Sequence, residues 1–264
     1  MYSTLAKLYS GLKELYNWPK YVISFQNWPT YVRDWLGFIE KDEIITYRLR
    51  HGIRLKARAG TTDRVVISNM LVKDAFALDK AKLRKASVII DIGAHIGAFS
   101  IYAASLGSNC KVYAYEPERR NYELLVQNVI SNGLQGRVTP VNCAVSGSRG
   151  TIELFLGSET FAHSTTIAVS AESIIMPSVS LGDVFRDNQI EKCDLLKINA
   201  EGAEYPILLN VEEDILSRVS KICMQCHDVD EKNNVCTVQE LLADNDFRVI
   251  RRSDFIEAIN RLGK

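Results

Sequence analysis

The chain has 264 residues, room for one large α/β domain or a smaller domain with an extension. Its 32 basic and 32 acidic side chains cancel, which excludes bulk attraction to a phosphate backbone, and with it nucleic acid, as the default partner. A hydrophobic content of 47% is that of an ordinary packed globular protein.

Residues 1–41 differ from the rest of the chain. Leu5, Leu8, Tyr9, Leu12, Leu15 and Tyr16 recur at helical spacing, and Val32, Trp35, Leu36 and Ile39 do so again. Between them NWPKY (17–21) and NWPTY (27–31) echo each other ten residues apart, too short a period for a solenoid. Each Pro predicts the start or end of a helix. All three tryptophans lie here. Helices packed on the main domain are the plainer expectation. The alternatives are a lid, a contact between copies of the chain in a homo-oligomer, or a membrane-surface helix. Lys7, Lys13 and Glu14 punctuate the N-terminus and no long apolar core follows, so no signal peptide is predicted and a cytoplasmic location is expected. The division expected is a helical extension over 1–50 and the main domain over 51–264.

After a polar stretch, HGIRLKARAG (51–60) predicts a strand pair or short hairpin, and TTDRVVISNMLVKDAF (61–76) a helix opened by cap-type residues. From residue 88 strands and helices alternate. SVIIDIG is a strand, AFSIYAASLG a helix closed by Gly107, KVYAYEP a second strand, and RRNYELLVQNVISNGL a helix ended by Asn132-Gly133. RVTPVNCAV is a third strand, TIELFLG an extra antiparallel one, CDLLKINA a further central strand, and AEYPILLNV a helix. VSKICMQCH and a late edge strand, FRVIRR, complete the series. Such alternation predicts a mostly parallel, doubly wound sheet. The apolar run 88–106 is long enough to span a bilayer but carries Asp91, His95, Gly93 and Gly97; a buried strand, a glycine turn and a helix explain it better, so no transmembrane segment is predicted.

The six cysteines read as buried thiols. CMQCH (223–227) matches the haem-attachment pattern C-x-x-C-H, and with Cys236 suggests zinc. On a strand, however, residues three apart face opposite sides, so Cys223 and Cys226 would not share an ion or a haem. No metal is assigned.

In VIIDIGAHIG, Asp91 ends a buried strand, and Gly93 and Gly97 bracket the turn into the next helix, where a ligand can approach the backbone closely. The spacing G-x-x-x-G is not that of dinucleotide binders. Nineteen residues after Gly97, Glu116 ends the second strand in YAYEP, placed to accept both hydroxyls of a ribose. Together these features point to a nucleoside ligand.

DIGAHIGAFS, YAYEPERRNYELLVQNVISNG, VNCAVSGSRGTIELF and DLLKINAEGAEYPIL, in that order, resemble the FkbM family of S-adenosylmethionine-dependent methyltransferases, and RAGTTDRVVISNML resembles its lead-in segment. The resemblance covers roughly 55–255 and leaves 1–45 outside. It implies an α/β class I methyltransferase (Rossmann-like) fold, a doubly wound, mostly parallel seven-stranded sheet whose last strand is antiparallel, with S-adenosylmethionine as cofactor. It also implies methylation of a hydroxyl on a sugar, glycan or polyketide-like small molecule. Carried over residue by residue, Asp91, Gly93, Ala94 and Gly97 would line the methionine part of the cofactor. Glu116 would hold the ribose and Pro117 shape the turn beside the adenine. Asn142 and Ala144 would lie near the adenine, and Thr62 and Asp63 would close over the cofactor carboxylate or the substrate. His95 stands where the family more usually has Asn; the alternatives are a cofactor contact and a solvent-facing ring.

Methyl transfer to a hydroxyl needs alignment and benefits from a base. His227, which ends a strand on the carboxyl edge of the sheet, is the first choice; the plainer reading is a histidine bonded to neighbouring loops. His163 lies where a substrate loop is expected, and His51 reads as structural. In NAEGAE (199–204), Asn199 stands where the family usually has an acid, and Gln225 where it has Glu in an E-x-H pattern. If those acids bound a hard cation, this chain would bind it poorly; if they oriented neighbours by hydrogen bonds, amides substitute and add donor capacity, which is the favoured reading. Asn199 and Glu201 are expected to be catalytic residues with His227, Glu201 lining the pocket, and Glu204 to be half structural, as an acid in the first turn of a helix. Two other functions stay open: N-methyl transfer, and a non-catalytic S-adenosylmethionine-binding module.

Overall fold

The computed structural model describes residues 17–72, 79–155, 173–200 and 202–262. Residues 17–24 (α1) are helical, and α2 (Trp28–Trp35) starts with Pro29 in its first turn, where the missing amide hydrogen costs nothing. Tyr21, Phe25, Tyr31 and Tyr47 stack into an aromatic cluster, with the Tyr21 and Tyr31 ring centres 4.4 Å apart. This cluster belongs to the same core as Ile89, Phe99 and Leu125 of the main domain. Helices α1 and α2 therefore pack on that domain, while the apolar stripe from Leu5 to Tyr16 lies outside the described residues.

The expected hairpin forms, but its first strand lies earlier. Strand β1 (Ile44–Arg48) pairs antiparallel with β2 (Arg54–Arg58) around a turn at His51 and Gly52. Ile45 and Tyr47 alternate inward, a period-2 signal obscured by the charged residues Lys41 to Glu43. Within the helix expected over 61–76, α3 runs Asp63–Leu71 and residues 73–76 lie outside the described residues. The division expected at residue 50 passes through the hairpin turn.

A short helix, α4 (Lys80–Leu83), leads into the main sheet. Strand β3 (Val88–Ile92), α5 (Ala98–Leu106), β4 (Lys111–Tyr115), α6 (Arg119–Ser131) and β5 (Val138–Val141) run outward to one edge. The small strands β6 (Ala144–Ser146), β7 (Gly150–Phe155) and β8 (Ser173–Ser180) form a separate three-stranded sheet, which is where TIELF falls. Then come α7 (Leu181–Asp187), β9 (Leu195–Ile198), α8 (Glu204–Leu209), α9 (Glu213–Ser217), β10 (Lys221–Gln225), α10 (Val235–Asp244), β11 (Phe247–Arg252) and β12 (Phe255–Asn260).

The seven-stranded sheet has the order β11-β12-β10-β9-β3-β4-β5. Strand β12, an element beyond those expected from the sequence, is antiparallel to both neighbours, and the other pairings in this sheet are parallel. The winding reverses between β3 and β9, which opens a crevice at their carboxyl ends. One face of the sheet buries α5, α6 and the N-terminal aromatics, and the other buries α7, α8 and α10. Cys223 lies in the first core and Cys226 in the second, as strand alternation requires. Among the described residues no helix is long and apolar enough to cross a membrane; the apolar run at 88–106 divides into β3, the turn and α5.

Candidate functional site

The crevice holds a concave pocket whose space, with the open solvent at its mouth included, is about 790 Å³. Gly93, Ala94, His95, Glu116, Pro117, Ala144 and Asn199 all line it. Val66 and Met70 of α3 and Leu154 of β7 supply further apolar wall.

The turn after β3 is shaped by its neighbours. The amides of Gly93 and Ala94 both donate to the Tyr115 carbonyl at 3.0 Å. A Cβ on Gly93 would lie 1.9 Å from the Asn199 carbonyl oxygen, and its φ of +73° favours glycine, so the close approach of the β3 and β9 tips requires this residue. At Gly97 a Cβ would meet the Leu125 side chain of α6 at 2.5 Å, so this glycine permits helix packing; it is not among the residues that line the pocket.

Asp91 is the fourth residue of β3. It is fully buried, 2.8 Å from the Lys197 ammonium and 2.5 Å from the Ser100 hydroxyl, and forms no part of the pocket wall. Lys197, given no role in the sequence reading, is 2% exposed and also donates to the Gly93 carbonyl at 2.7 Å. It fixes the turn from behind while its own chain lines the pocket.

Glu116, 4% exposed, accepts from the His95 amide at 2.7 Å, the Glu118 amide at 3.0 Å and the Asn121 side chain at 3.3 Å. Burial pushes its carboxyl up to about 7, against the lowering effect of those three donors. The side chain of Asn142 donates to the Glu116 and Pro117 carbonyls at 2.9 and 2.7 Å; it clamps the exit of β4 and does not line the pocket.

His95, at φ +53°, is buried, with Nε2 3.4 Å from Asp63 Oδ1; its ring does not face solvent. Asp63 is not a cover over the pocket. It is fully buried and bound bidentately by Arg58, at 2.9 Å to each oxygen. Burial raises its carboxyl, but the Arg58 hydrogen bonds and the His95 and Arg58 charges outweigh this and leave it below its ordinary range. Thr62 sits at the N-cap of α3.

His227 follows the tip of β10, as expected, but in a separate groove with Cys226, Asp228 and Arg251. Its Nδ1 lies 3.0 Å from Glu204 Oε1, and its carbonyl accepts from the Tyr205 hydroxyl at 2.9 Å. Glu204 is fully buried, and its other oxygen accepts from the Gly202 amide at 2.6 Å. Glu201 and His163 lie outside the described residues. His51 sits in the β1–β2 turn, its ring centre 6.0 Å from that of Tyr102.

The two amides differ in use. Gln225 donates to Asp254 in the β11–β12 turn at 2.7 Å, where a Glu would set two carboxylates face to face. The Asn199 side-chain oxygen is buried with no hydrogen-bond partner among the described residues. No group of three or more His, Cys, Asp or Glu among the described residues is placed to hold a metal ion.

The strand order, with antiparallel β12 inserted beside β10 and a pocket at the reversal of the winding, defines a class I methyltransferase. A family model described as "Methyltransferase FkbM domain" matches residues 91–255, and the chain belongs to that family. It is 27% identical over 178 residues to "Methyltransferase sdnD" of Sordaria araneosa, covering 56% of this chain and 69% of the relative. It is 23% identical over 244 residues to "31-O-demethyl-FK506 methyltransferase FkbM" of Streptomyces tacrolimicus, covering 81% and 92%. Among solved structures, methyltransferase FkbM from Methylobacillus flagellatus is similar at 13% identity and a TM-score of 0.46, covering 75% of this chain and 53% of that one.

The protein is thus an S-adenosylmethionine-dependent methyltransferase. Its pocket fits that cofactor on two observations: a buried carboxylate, and a carboxamide oxygen with no partner among the described residues, line one crevice together with apolar residues.

Proposed function

We propose that the protein methylates a hydroxyl group of a sugar, glycan or polyketide-like small molecule. The observation that carries this reading is the 3.0 Å contact between His227 Nδ1 and Glu204 at the carboxyl edge of the sheet. A carboxylate can only accept, so the pair leaves a proton on Nδ1 and Nε2 as the basic nitrogen. His227 then takes the acceptor's hydroxyl proton as the new C–O bond forms, and Glu204 stabilises the imidazolium that results. A Streptomyces relative named as a 31-O-demethyl-FK506 methyltransferase supports oxygen as the methylated atom.

Bound S-adenosylmethionine supplies a methyl group activated by its sulfonium. In this reading Glu116 accepts from the ribose hydroxyls, and Pro117 and Ala144 flank the adenine. Gly93, Ala94 and His95 line the methionine end. Asn199 offers its side-chain oxygen, without a partner among the described residues, to donors of the bound cofactor and acceptor, and Glu201 is proposed as a further catalytic residue.

A mass-shift screen with cell extract and labelled cofactor identifies the acceptor, and His227→Ala tests the base. Removing a general base lowers kcat by about 10²- to 10⁴-fold. Turnover on a hydroxyl acceptor that survives His227→Ala unchanged would overturn this assignment. Methylation confined to amine acceptors would replace it with N-methyl transfer.

A further inference from the structure

Helix α6 docks on the open edge of β2 through asparagines. Asn132 exchanges hydrogen bonds with the Arg54 amide and carbonyl at 2.9 and 2.7 Å, and Asn128 with those of Lys56 at 2.7 and 3.0 Å. An unpaired strand edge is thereby satisfied by side chains of a helix. At the third alternate position, Arg58, the pattern changes. Its side chain, 3% exposed, forks onto Asp63 and also donates through Nη2 to the Asn121 side-chain oxygen at 2.5 Å.

Asn121 is thereby fixed in one orientation, because a guanidinium cannot accept and a carboxylate cannot donate. Its oxygen faces Arg58 and its NH₂ faces Glu116 Oε1 at 3.3 Å. A second arm reaches the same carboxylate. Asp63 meets the His95 ring at 3.4 Å, and the His95 amide donates to Glu116 Oε2 at 2.7 Å. The result is a closed ring through Arg58, Asp63, His95, Glu116 and Asn121, five side chains each less than one tenth exposed.

We infer that Arg58 is a positioning residue for Glu116, acting through Asn121, so that the β1–β2 hairpin is part of the cofactor site. This rests on Glu116 being the acid that holds the cofactor. Arg58 does not itself line the pocket, but Asn121 and Glu116 do, and through Asn121 it sets the angle of the carboxylate. Lys in its place keeps the charge but loses the planar fork that serves Asp63 and Asn121 together. Asp in place of Asn121 keeps the acceptor for Arg58 and removes the donor for Glu116.

Calorimetric titration with S-adenosylhomocysteine, paired with thermal melts without ligand, tests this. Arg58→Lys and Asn121→Asp should each weaken binding about tenfold, equivalent to about 1.4 kcal/mol. In the Arg58→Lys/Glu116→Gln double variant the penalties should not add, since coupled residues share one effect. Asn132→Ala, which breaks the same docking far from Glu116, should lower the melting temperature and leave binding within twofold. Folded Arg58→Lys and Asn121→Asp that bind within twofold of the unaltered chain would overturn the inference, as would additive penalties. Should Arg58→Lys fail to fold, Asn121→Asp decides alone. No binding by the unaltered chain would instead overturn the reading of Glu116, and the inference with it.

Discussion

Lys197 Nζ lies 2.8 Å from Asp91 Oδ1 between adjacent strands, and neither side chain reaches solvent. The pair sits directly beneath the glycine turn, since the same ammonium holds the Gly93 carbonyl. The acid expected from the sequence to line the methionine part of the cofactor is thus ion-paired within the scaffold. Removing one partner of a buried ion pair strands the other charge, which costs about 3–5 kcal/mol. Asp91→Asn and Lys197→Met should each lower stability by that order in denaturant unfolding. The double replacement should cost less than the sum, because no charge is left alone.

In DLLKINA, Lys197 reads as one polar break in an apolar strand; its meaning comes from the register that sets it opposite Asp91. That register joins residues more than a hundred positions apart, beyond any local pattern. The asparagines of α6 are hidden in the same way: NYELLVQNVISN reads as an amphipathic helix, and only the edge of β2 shows why Asn121, Asn128 and Asn132 share a face. By contrast, the alternation of strands and helices, the pocket residues Gly93, Glu116 and Asn199, and the place of His227 are legible, because each is marked by local chemistry at a strand end. Gly97 also has a packing role that its motif does not announce, the close approach of Leu125 of α6.

Gln225 and Asp254 form a second such relationship, at 2.7 Å. Gln225→Glu replaces a donor with a like charge, and losing that bond should cost about 1–3 kcal/mol at neutral pH. Facing carboxylates raise each other's proton affinity, so the penalty should shrink as pH falls and grow as it rises. Thermal melts across pH check this. A variant as stable as the unaltered chain at every pH would show that the bond is idle.

Asn199→Asp restores the acid usual in the family. The residue lines the pocket beside Gly93, and its side-chain oxygen is retained by the change. S-adenosylhomocysteine binding should therefore stay within several-fold, measured by calorimetry. Abolished binding would show that the β9 tip does not lie beside the transferred methyl.

Glu116 predicts opposite pH trends for folding and binding. Its folded carboxyl, near 7, binds a proton more tightly than in the unfolded chain, where it is near 4.5. Its contribution to stability is thus fully present below about 4.5 and is lost as pH rises through about 7. Ribose hydroxyls donate to the charged form, so cofactor affinity should rise over that same window. Glu116→Gln should flatten both trends, read from melts and from titrations at pH 5.5 and 8.

Whether Glu116 holds the cofactor is decided by titrating S-adenosylhomocysteine into the unaltered chain and into Glu116→Ala, by calorimetry at pH 8. Saturable one-to-one binding is expected of the unaltered chain. A folded Glu116→Ala should bind at least tenfold more weakly, a loss of about 1.4 kcal/mol or more. Equal affinities for the two would contradict this placement, because the acid at the end of β4 would then have no part in holding the cofactor.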